Sequence, residues 1–406
     1  MKPDITLIAP RSPFLLNEKP YPPLGILYLS AFLKEHGLTA QCLDMGYGHT
    51  PDMAKSDIIG ISATTPQWGE SLKLLHYYKK LGKKVIIGGP HATHNTHNCL
   101  DIGFNHVISG YGEAKLLNFL TGKNIKQPEL NDLPLPDRYA LPIKDYDYKI
   151  SECSATVLMT TRGCPFRCSF CAKISDEFMM NDANRVISEV LTINREHDFK
   201  AFMIFDDIFI ANKERLKKIS SFFYSNLDHF IFRCFGRAGL LTEDVCEMLA
   251  RMGVVEVGIG VESGSNTILK RNLKATSVKT NTKAVESLRK VGIRSKAFLI
   301  VGLPGETEET IKETEHWIET VKPDDIDCSV LQPLPGSLLY NNPEKFEIEF
   351  TQPNIKTGKW NGTNLWFKGT PGKYESSIRT KKLSSERIVA LRDNLESKFK
   401  NKELLI

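Results

Sequence analysis

No apolar run in the 406 residues approaches the ~20 needed to cross a membrane; the longest candidates, such as Ala297 to Leu303, are the size of a strand. The first residues, Met1, Lys2, Pro3 and Asp4, reach a proline and an acid before any apolar stretch, which is not the layout of a signal peptide. No membrane span is expected, and a cytoplasmic location is. Charge of one sign is also missing: 53 Lys and Arg against 48 Asp and Glu leave a net +5, too little for a strongly basic nucleic-acid binder, so no nucleic-acid partner is expected. Cysteine is sparse, nine in all and an odd number, which excludes a disulfide-stapled scaffold. Solenoid repeats and low-complexity tracts are absent. What remains, 41% hydrophobic and 25% charged, is ordinary globular composition, and a prior of about 150 residues per domain gives two or three domains.

Two halves follow different grammars. From Asp4 to about Gly122, short apolar strands (Ile5 to Ala9, Thr39 to Leu43, Ile58 to Ser62, Val85 to Ile87, Val107 to Ile108) alternate with helical stretches, the signature of a doubly wound parallel sheet. The helix Leu24 to Glu35 sets Leu24, Leu27, Tyr28, Ala31 and Phe32 on one face and closes at Gly37. Pro128, Pro134, Pro136 and Pro142 then mark a linker. A second β/α series has strands near Thr156 to Thr160, Ala201 to Phe205, Phe230 to Cys234, Val255 to Val261, Lys296 to Val301 and Ile326 to Gln332; six repeats suggest an open, partial (β/α)6 barrel. The expected division is 1–125 a Rossmann-like domain, 126–154 a linker, 155–340 the barrel and 341–406 a C-terminal extension. That extension holds Trp360, Trp366 and Phe367, candidates for a lid or for core, and a polar, basic helix from about Ser384 to Lys400 that reads as a solvated face.

Three cysteines break the scatter: Cys164, Cys168 and Cys171, at C-x3-C-x2-C spacing on a loop where Gly163 and Pro165 let the chain curl around one centre. Cys42, Cys99, Cys153, Cys234, Cys246 and Cys328 read singly as small buried hydrophobes. Three thiolates are one ligand short of a closed zinc site, and no Cys or His lies between Ala172 and Arg195 to complete it. An iron–sulfur cubane with one iron open to an external ligand fits the count better. At the C-terminal ends of barrel strands, where ligands gather, stand Asp206 and Asp207, of which alternation turns only one inward. Glu262 ends another such strand and can accept from a ribose diol or an ammonium, or cap the next helix; Gly302 and Gly305 allow close backbone approach or a plain turn.

Thr160 to Cys171, TTRGCPFRCSFC, resembles the cluster loop of the radical S-adenosylmethionine (SAM) enzymes. That resemblance implies that Cys164, Cys168 and Cys171 hold a [4Fe–4S] cluster and that Phe170 lies beside the SAM adenine. It extends to Asp207, Arg237, Glu262, Ser263 and Gly302 as SAM-binding residues. In the N-terminal half, Tyr21 to Gly37, Gly88 to His91 and Gly110 to Glu113 resemble the cobalamin-binding domain found upstream of the barrel in one large radical SAM class. It implies a cobalamin site at Leu24, Gly25, Asp44, Ser62, Thr64, Gly88, Gly89, Pro90, His91, Gly110 and Glu113.

Two departures stand out. The mutase motif D-x-H-x-x-G would need a histidine two residues after Asp44, where Gly46 stands, so the cobalt is expected base-off with His49 and His91 as weak candidates. Where relatives carry paired arginines after the cluster loop, this chain has Met179, Met180, Asn181 and Asp182. The resemblance implies a cobalamin-dependent radical SAM methyltransferase, in which a 5′-deoxyadenosyl radical activates an unactivated carbon and methylcobalamin delivers the methyl group. It would use a small-molecule or natural-product substrate and a reductant such as flavodoxin or ferredoxin. A cyclase or rearrangement enzyme, or a phosphorus methyltransferase, would share every motif, and a cobalamin sensor is the alternative outside enzymes.

Overall fold

A computed structural model describes residues 2–15, 17–225, 229–351, 369–370 and 373–401; Trp360, Trp366 and Phe367 lie outside them. The chain divides into two compact units: Met1–Tyr148 with Ala172–Asp176 and Pro353–Lys373, and Lys149–Cys171 with Glu177–Gln352 and Tyr374–Ile406.

In the first unit, β1 (Ile5–Ala9), α1 (Leu24–Glu35), β2 (Ala40–Asp44), β3 (Ile58–Ser62), α2 (Trp68–Lys80), β4 (Lys84–Gly88), α3 (Pro90–His94), α4 (Thr96–Ile102), β5 (His106–Val107) and α5 (Glu113–Thr121) follow one another. The strands form a parallel sheet in the order β2-β1-β3-β4-β5. This doubly wound order reverses direction beside β1, and ligands of such sheets sit outside the strands' C-terminal ends at that switch. β1 is buried along its whole length, as a strand covered on both faces must be. α1 ends as its sequence requires: Gly37 takes φ +81°, its N–H donates to Lys34 O (3.0 Å) and the Leu38 N–H donates to Leu33 O (3.0 Å). The proline-rich stretch is a packed strap, with Leu130, Leu133, Leu141, Ile143 and Tyr146 buried. Asp137 ties it to α1, accepting from Ser30 Oγ at 2.8 Å and pairing with Lys34 Nζ at 2.7 Å.

In the second unit, six strands, β7 (Cys153–Leu158), β10 (Ala201–Ile204), β11 (Ile231–Gly236), β12 (Val254–Glu262), β13 (Arg294–Val301) and β14 (Asp325–Val330), lie parallel in sequence order as a curled half-barrel. The short β6 (Lys149–Ile150) joins antiparallel beside β7, and β8 (Thr161–Arg162) pairs antiparallel with β9 (Met179–Met180). The alternation of a strand shows in β12 to β14, where Val257, Ile259, Ala297, Leu299, Ile326 and Cys328 bury one face under the helices α6 (Ala183–His197), α7 (Lys213–Tyr224), α8 (Glu243–Met252), α9 (Asn266–Arg271), α10 (Val278–Lys290) and α11 (Glu308–Val321). The other face carries charge at the strands' starts: Glu256 pairs with Arg233 and with Arg294 (3.1 Å), and Lys296 pairs with Asp325 (3.2 Å).

Two expectations are corrected. Five of the six scattered cysteines are buried, but Cys153 is exposed, because it opens β7 on the outer hairpin with β6. The C-terminal helix, Ser385–Phe399, is not a solvated face. Ile388, Leu391 and Leu395 are buried, Arg392 Nε donates to Cys328 O (2.7 Å), and the Cys328 N–H donates to Glu396 Oε2 (3.0 Å). The helix thus covers β14, the strand at the sheet's edge, and its side chains occupy backbone groups that would otherwise template association. No helix among the described residues is long and apolar enough to cross a membrane.

Candidate functional site

The cysteine loop leaves β7 and is closed at its base by the β8–β9 pairing. Gly163 is obligatory there: φ is +80° and a Cβ would lie 2.1 Å from Glu177 O. Thr160, just before β8, gives its N–H to Asp206 Oδ1 and its hydroxyl to Asp206 Oδ2, both at 2.5 Å. Arg215 reaches the same knot, donating to Thr160 Oγ1 (2.5 Å) and to Asn181 O (2.6 Å). Of the adjacent carboxylates, Asp206 therefore turns inward as a buried anchor whose acid is raised chiefly by burial, and Asp207 is exposed. Midway along the loop, buried Ser169 takes Asn272 O with its N–H (3.0 Å) and Asn272 Oδ1 with its hydroxyl (3.2 Å), and Leu339 N–H donates to Ser169 O (3.0 Å). This fastening spans 103 residues, and no local pattern signals it.

Cys164 and Cys168 are partly exposed, Cys171 is exposed, and none is in a disulfide. The Cys171 N–H donates to Cys168 O (3.1 Å), turning the chain between the last two thiols. Among the described residues no three His, Cys, Asp or Glu side chains stand as a ready metal-holding group, so the loop carries the thiols without closing them onto one point. Their chemistry fits an iron–sulfur cluster all the same: three accessible sulfur donors on a loop fixed at its base and middle, beside a cation. That cation is Arg237, stacked over Phe166 at 3.6 Å, with Nη1 3.7 Å from Cys168 Sγ and Nη2 donating to Lys274 O and to Ala275 O (3.1 Å). Hydrogen bonds to cluster sulfurs are a lever on reduction potential.

Beside the loop, a cavity of about 220 Å³ is lined by Phe170, Glu262, Phe298, Asp327, Ser329 and Gln332, among others. A register shift between Gly260 and Glu262 leaves Glu262 at φ +64° at the end of β12, the kind of bulge that re-aims a side chain beside a site. Glu262 Oε1 accepts from Lys274 Nζ at 2.5 Å with both side chains 9% exposed. Gly260 makes room for the pair, since a Cβ there would lie 2.8 Å from Lys274 Nζ. Lys274 also lies 5.8 Å from the Phe170 ring. The sequence reading missed Lys274, which sits beyond a short helix in a stretch with no motif.

Two expected ligand residues face elsewhere. Ser263 is fully buried, its Oγ 3.4 Å from Thr314 Oγ1 and accepting the Ser265 N–H (3.2 Å), so its hydroxyl serves the packing of α11. Gly302, at φ +98°, has its open side against Ile388 of the C-terminal helix, 3.1 Å from a built Cβ. Its N–H donates to Glu306 Oε2 (2.6 Å), and burial pushes that carboxyl up to about 8.

In the first unit, Gly25, Ser62, Thr64, Gly88, Gly89 and Gly110 gather at the C-terminal edge of the sheet, with Leu24 half-buried and Pro90 opening α3. Gly25 is exposed, and only Ser62 Oγ, at 3.9 Å, stands near a Cβ built there. Gly89 is there for the chain itself: at φ +91° its Cβ would lie 2.8 Å from Ala63 O. Gly25 leaves open space at this edge, and the residues there fit a large planar cofactor such as cobalamin on that ground. Three expected members are interior anchors instead. Asp44 accepts from Tyr146 OH (2.8 Å) and the Gly46 N–H (2.9 Å), and Glu113 accepts from Gln127 Nε2 (2.9 Å). His91 is fully buried and stacks on Trp68 at 4.2 Å, and burial holds its imidazole down at about 3. It does not present a ligand to the edge. His49 is engaged by the chain too, its Nδ1 accepting the Asp44 N–H at 3.0 Å.

Residues 158–318 match the family model of the Radical SAM superfamily, and residues 18–120 match that of the B12 binding domain. The chain thus carries a B12-binding domain followed by a radical SAM domain, and it is a cobalamin-dependent radical SAM enzyme by class; the two domains imply a [4Fe–4S] cluster, SAM and cobalamin. It is 25% identical over 358 residues to an uncharacterized methyltransferase of Pyrococcus horikoshii, covering 79% of this chain and 78% of that one. It is also 25% identical over 387 residues to the anaerobic magnesium-protoporphyrin IX monomethyl ester cyclase of Rubrivivax gelatinosus, covering 83% and 69%. Among solved structures, the radical S-adenosylmethionine methyltransferase TsrM of Kitasatospora setae, with tryptophan and a SAM analogue bound, shares the fold with a TM-score of 0.69 at 14% identity, over 86% of this chain and 78% of that one.

Proposed function

We propose that this protein is a methyltransferase that transfers a methyl group to an unactivated carbon of a small-molecule substrate, with electrons from a flavodoxin- or ferredoxin-like reductant. The observation that carries the reading is the cysteine loop set beside a cavity lined by Phe170 and by Glu262, itself paired with the buried Lys274, in a chain that also carries a B12-binding domain. When bound, the cofactors supply a carbon-centred radical from reductively cleaved SAM and a cobalt-carried methyl group.

The chain's own residues bind and orient. Cys164, Cys168 and Cys171 would hold the cluster, with Arg237 beside Cys168. Lys274 offers a cation to the carboxylate of SAM and Glu262 an acceptor to its ammonium or ribose, while the Phe170 ring packs against the base. Asp207 is the exposed carboxylate of the adjacent pair and Asp206 the buried one. Gly25, Ser62, Thr64, Gly88 and Gly110 leave the edge of the first sheet open for cobalamin.

The test is iron, sulfide and cobalt content of protein purified without oxygen from cobalamin-supplied cells, then incubation with reductant and methyl-labelled SAM. About four irons and one cobalt per chain, slow 5′-deoxyadenosine release and label transfer to a small molecule from the host's extract are expected. Iron without cobalt would overturn methyl transfer through cobalamin. The relative named as a cyclase favours a second reading, cyclisation; 5′-deoxyadenosine formed in step with an unlabelled product would support it.

A further inference from the structure

Of the polar groups that line the cavity, Gln332 is the one with a buried donor left over. Gln332 stands two residues after the end of β14 and lines the cavity. Its Nε2 is buried and has no hydrogen-bond partner among the described residues. Its Oε1 accepts from Ser377 Oγ at 2.9 Å, which orients the amide and leaves its donor end without an acceptor among the described residues. A buried donor left unmade loses its hydration without compensation, so this arrangement stands at a loss until something supplies an acceptor.

Ser377 belongs to the C-terminal extension and is 2% exposed. Its carbonyl accepts the Thr351 N–H (2.9 Å), and it immediately precedes the strand Ile378–Thr380, which pairs antiparallel with Ile348–Phe350. The hydroxyl that orients Gln332 is therefore held by a two-stranded sheet the barrel does not need for closure.

Resting on the proposed function, we infer that Gln332 is a SAM-binding residue whose Nε2 donates to a ring nitrogen of the adenine base, with Ser377 as its positioning residue. The ligand group must be an acceptor, because Nε2 can only donate, and the carboxylates that line the same cavity are each held by a lysine, Glu262 by Lys274 (2.5 Å) and Asp327 by Lys296 (3.6 Å). It is planar, because the rings of Phe170 and Phe298 line that cavity and offer it flat faces. An adenine ring meets both conditions. The C-terminal extension thereby becomes part of the binding site through a single hydroxyl.

The test uses the full chain with its cluster reconstituted anaerobically, without reductant, and measures binding of labelled SAM and of free methionine by equilibrium dialysis. Gln332→Leu is expected to weaken SAM about tenfold and Ser377→Ala about threefold, while Ser377→Thr, which keeps the hydroxyl, stays near wild type. Methionine, which has no base, should bind all four proteins alike, at unchanged iron content. SAM affinity unaltered in Gln332→Leu overturns the inference. So does a parallel fall for SAM and methionine, which marks a structural role. Failure of the wild-type protein itself to bind SAM instead overturns the proposed function beneath it.

Discussion

The two units are both parallel sheets flanked by helices, yet they prepare their C-terminal edges in opposite ways. The edge of the first is made of glycine, serine and threonine, and its ionisable members Asp44, His91 and Glu113 are withdrawn into the interior. In the half-barrel charged groups stand beside the cavity and the cysteine loop: Glu262 lines the cavity while paired with Lys274, Arg237 lies by Cys168, and Asp207 is exposed. A large ligand held over much area needs room and shape. A small zwitterionic one needs opposite charges at fixed separation, which a low-dielectric site makes strong. The difference assigns cobalamin and SAM to separate units on physical grounds.

The sharpest way to break that assignment is to remove the thiols. Alanine at Cys164, Cys168 and Cys171 together should abolish iron binding and 5′-deoxyadenosine formation and leave cobalt content unchanged, by metal analysis of the same preparation. Loss of cobalt along with iron would mean that the two sites are not independent. Next in size is Lys274→Met, which strands the Glu262 carboxylate. Removing one partner of a buried pair costs about 3–5 kcal/mol, so denaturant melting should shift markedly and SAM binding fall roughly a hundredfold. Glu262→Gln with Lys274→Met should recover stability but not SAM binding. Smaller is Gly25→Leu, where a bulky side chain enters open space at the first unit's edge; cobalamin affinity should drop about tenfold with iron and SAM binding intact.

Much of this was legible. The helix Leu24–Glu35 and β1 and β3 fall where periodicity put them, and six barrel strands appear in order, because each is a local pattern of apolar spacing ended by glycine, proline or charge. The cysteine loop was legible as spacing. What the sequence hid depends on partners far along the chain. Ser169 is fastened by Asn272, Glu262 by Lys274, and Gln332 by Ser377, and no periodicity encodes such pairs. The histidine beside the double glycine looked like a ligand because its burial is decided by Trp68, 23 positions earlier, which stacks on it. The C-terminal helix looked solvated because its cations are spread around it; four of them, Arg387, Arg392, Lys398 and Lys400, turn out to be engaged by the barrel.

The effect that is smallest per step of pH is also the one that separates the units most cleanly. His91 is buried and neutral, with its pKa lowered from 6.5 to about 3, so the unfolded chain binds a proton that the folded one refuses. The first unit should lose about 1.4 kcal/mol per pH unit as pH falls below about 6. Glu306 is the mirror case, raised from 4.5 to about 8. There the folded chain keeps a proton that the unfolded one releases, and stability falls at the same slope as pH rises from about 5 to 8. Hydrogen exchange followed by peptide should show β3 and β4 opening in acid and the start of α11 opening in base. His91→Phe, which keeps a ring against Trp68, should flatten the first profile alone, and Glu306→Gln, which keeps an acceptor for the Gly302 N–H, the second alone. If either substitution flattened both profiles, the two units would be unfolding as one, and the independence that the cysteine variant tests through metals would fail here through protons.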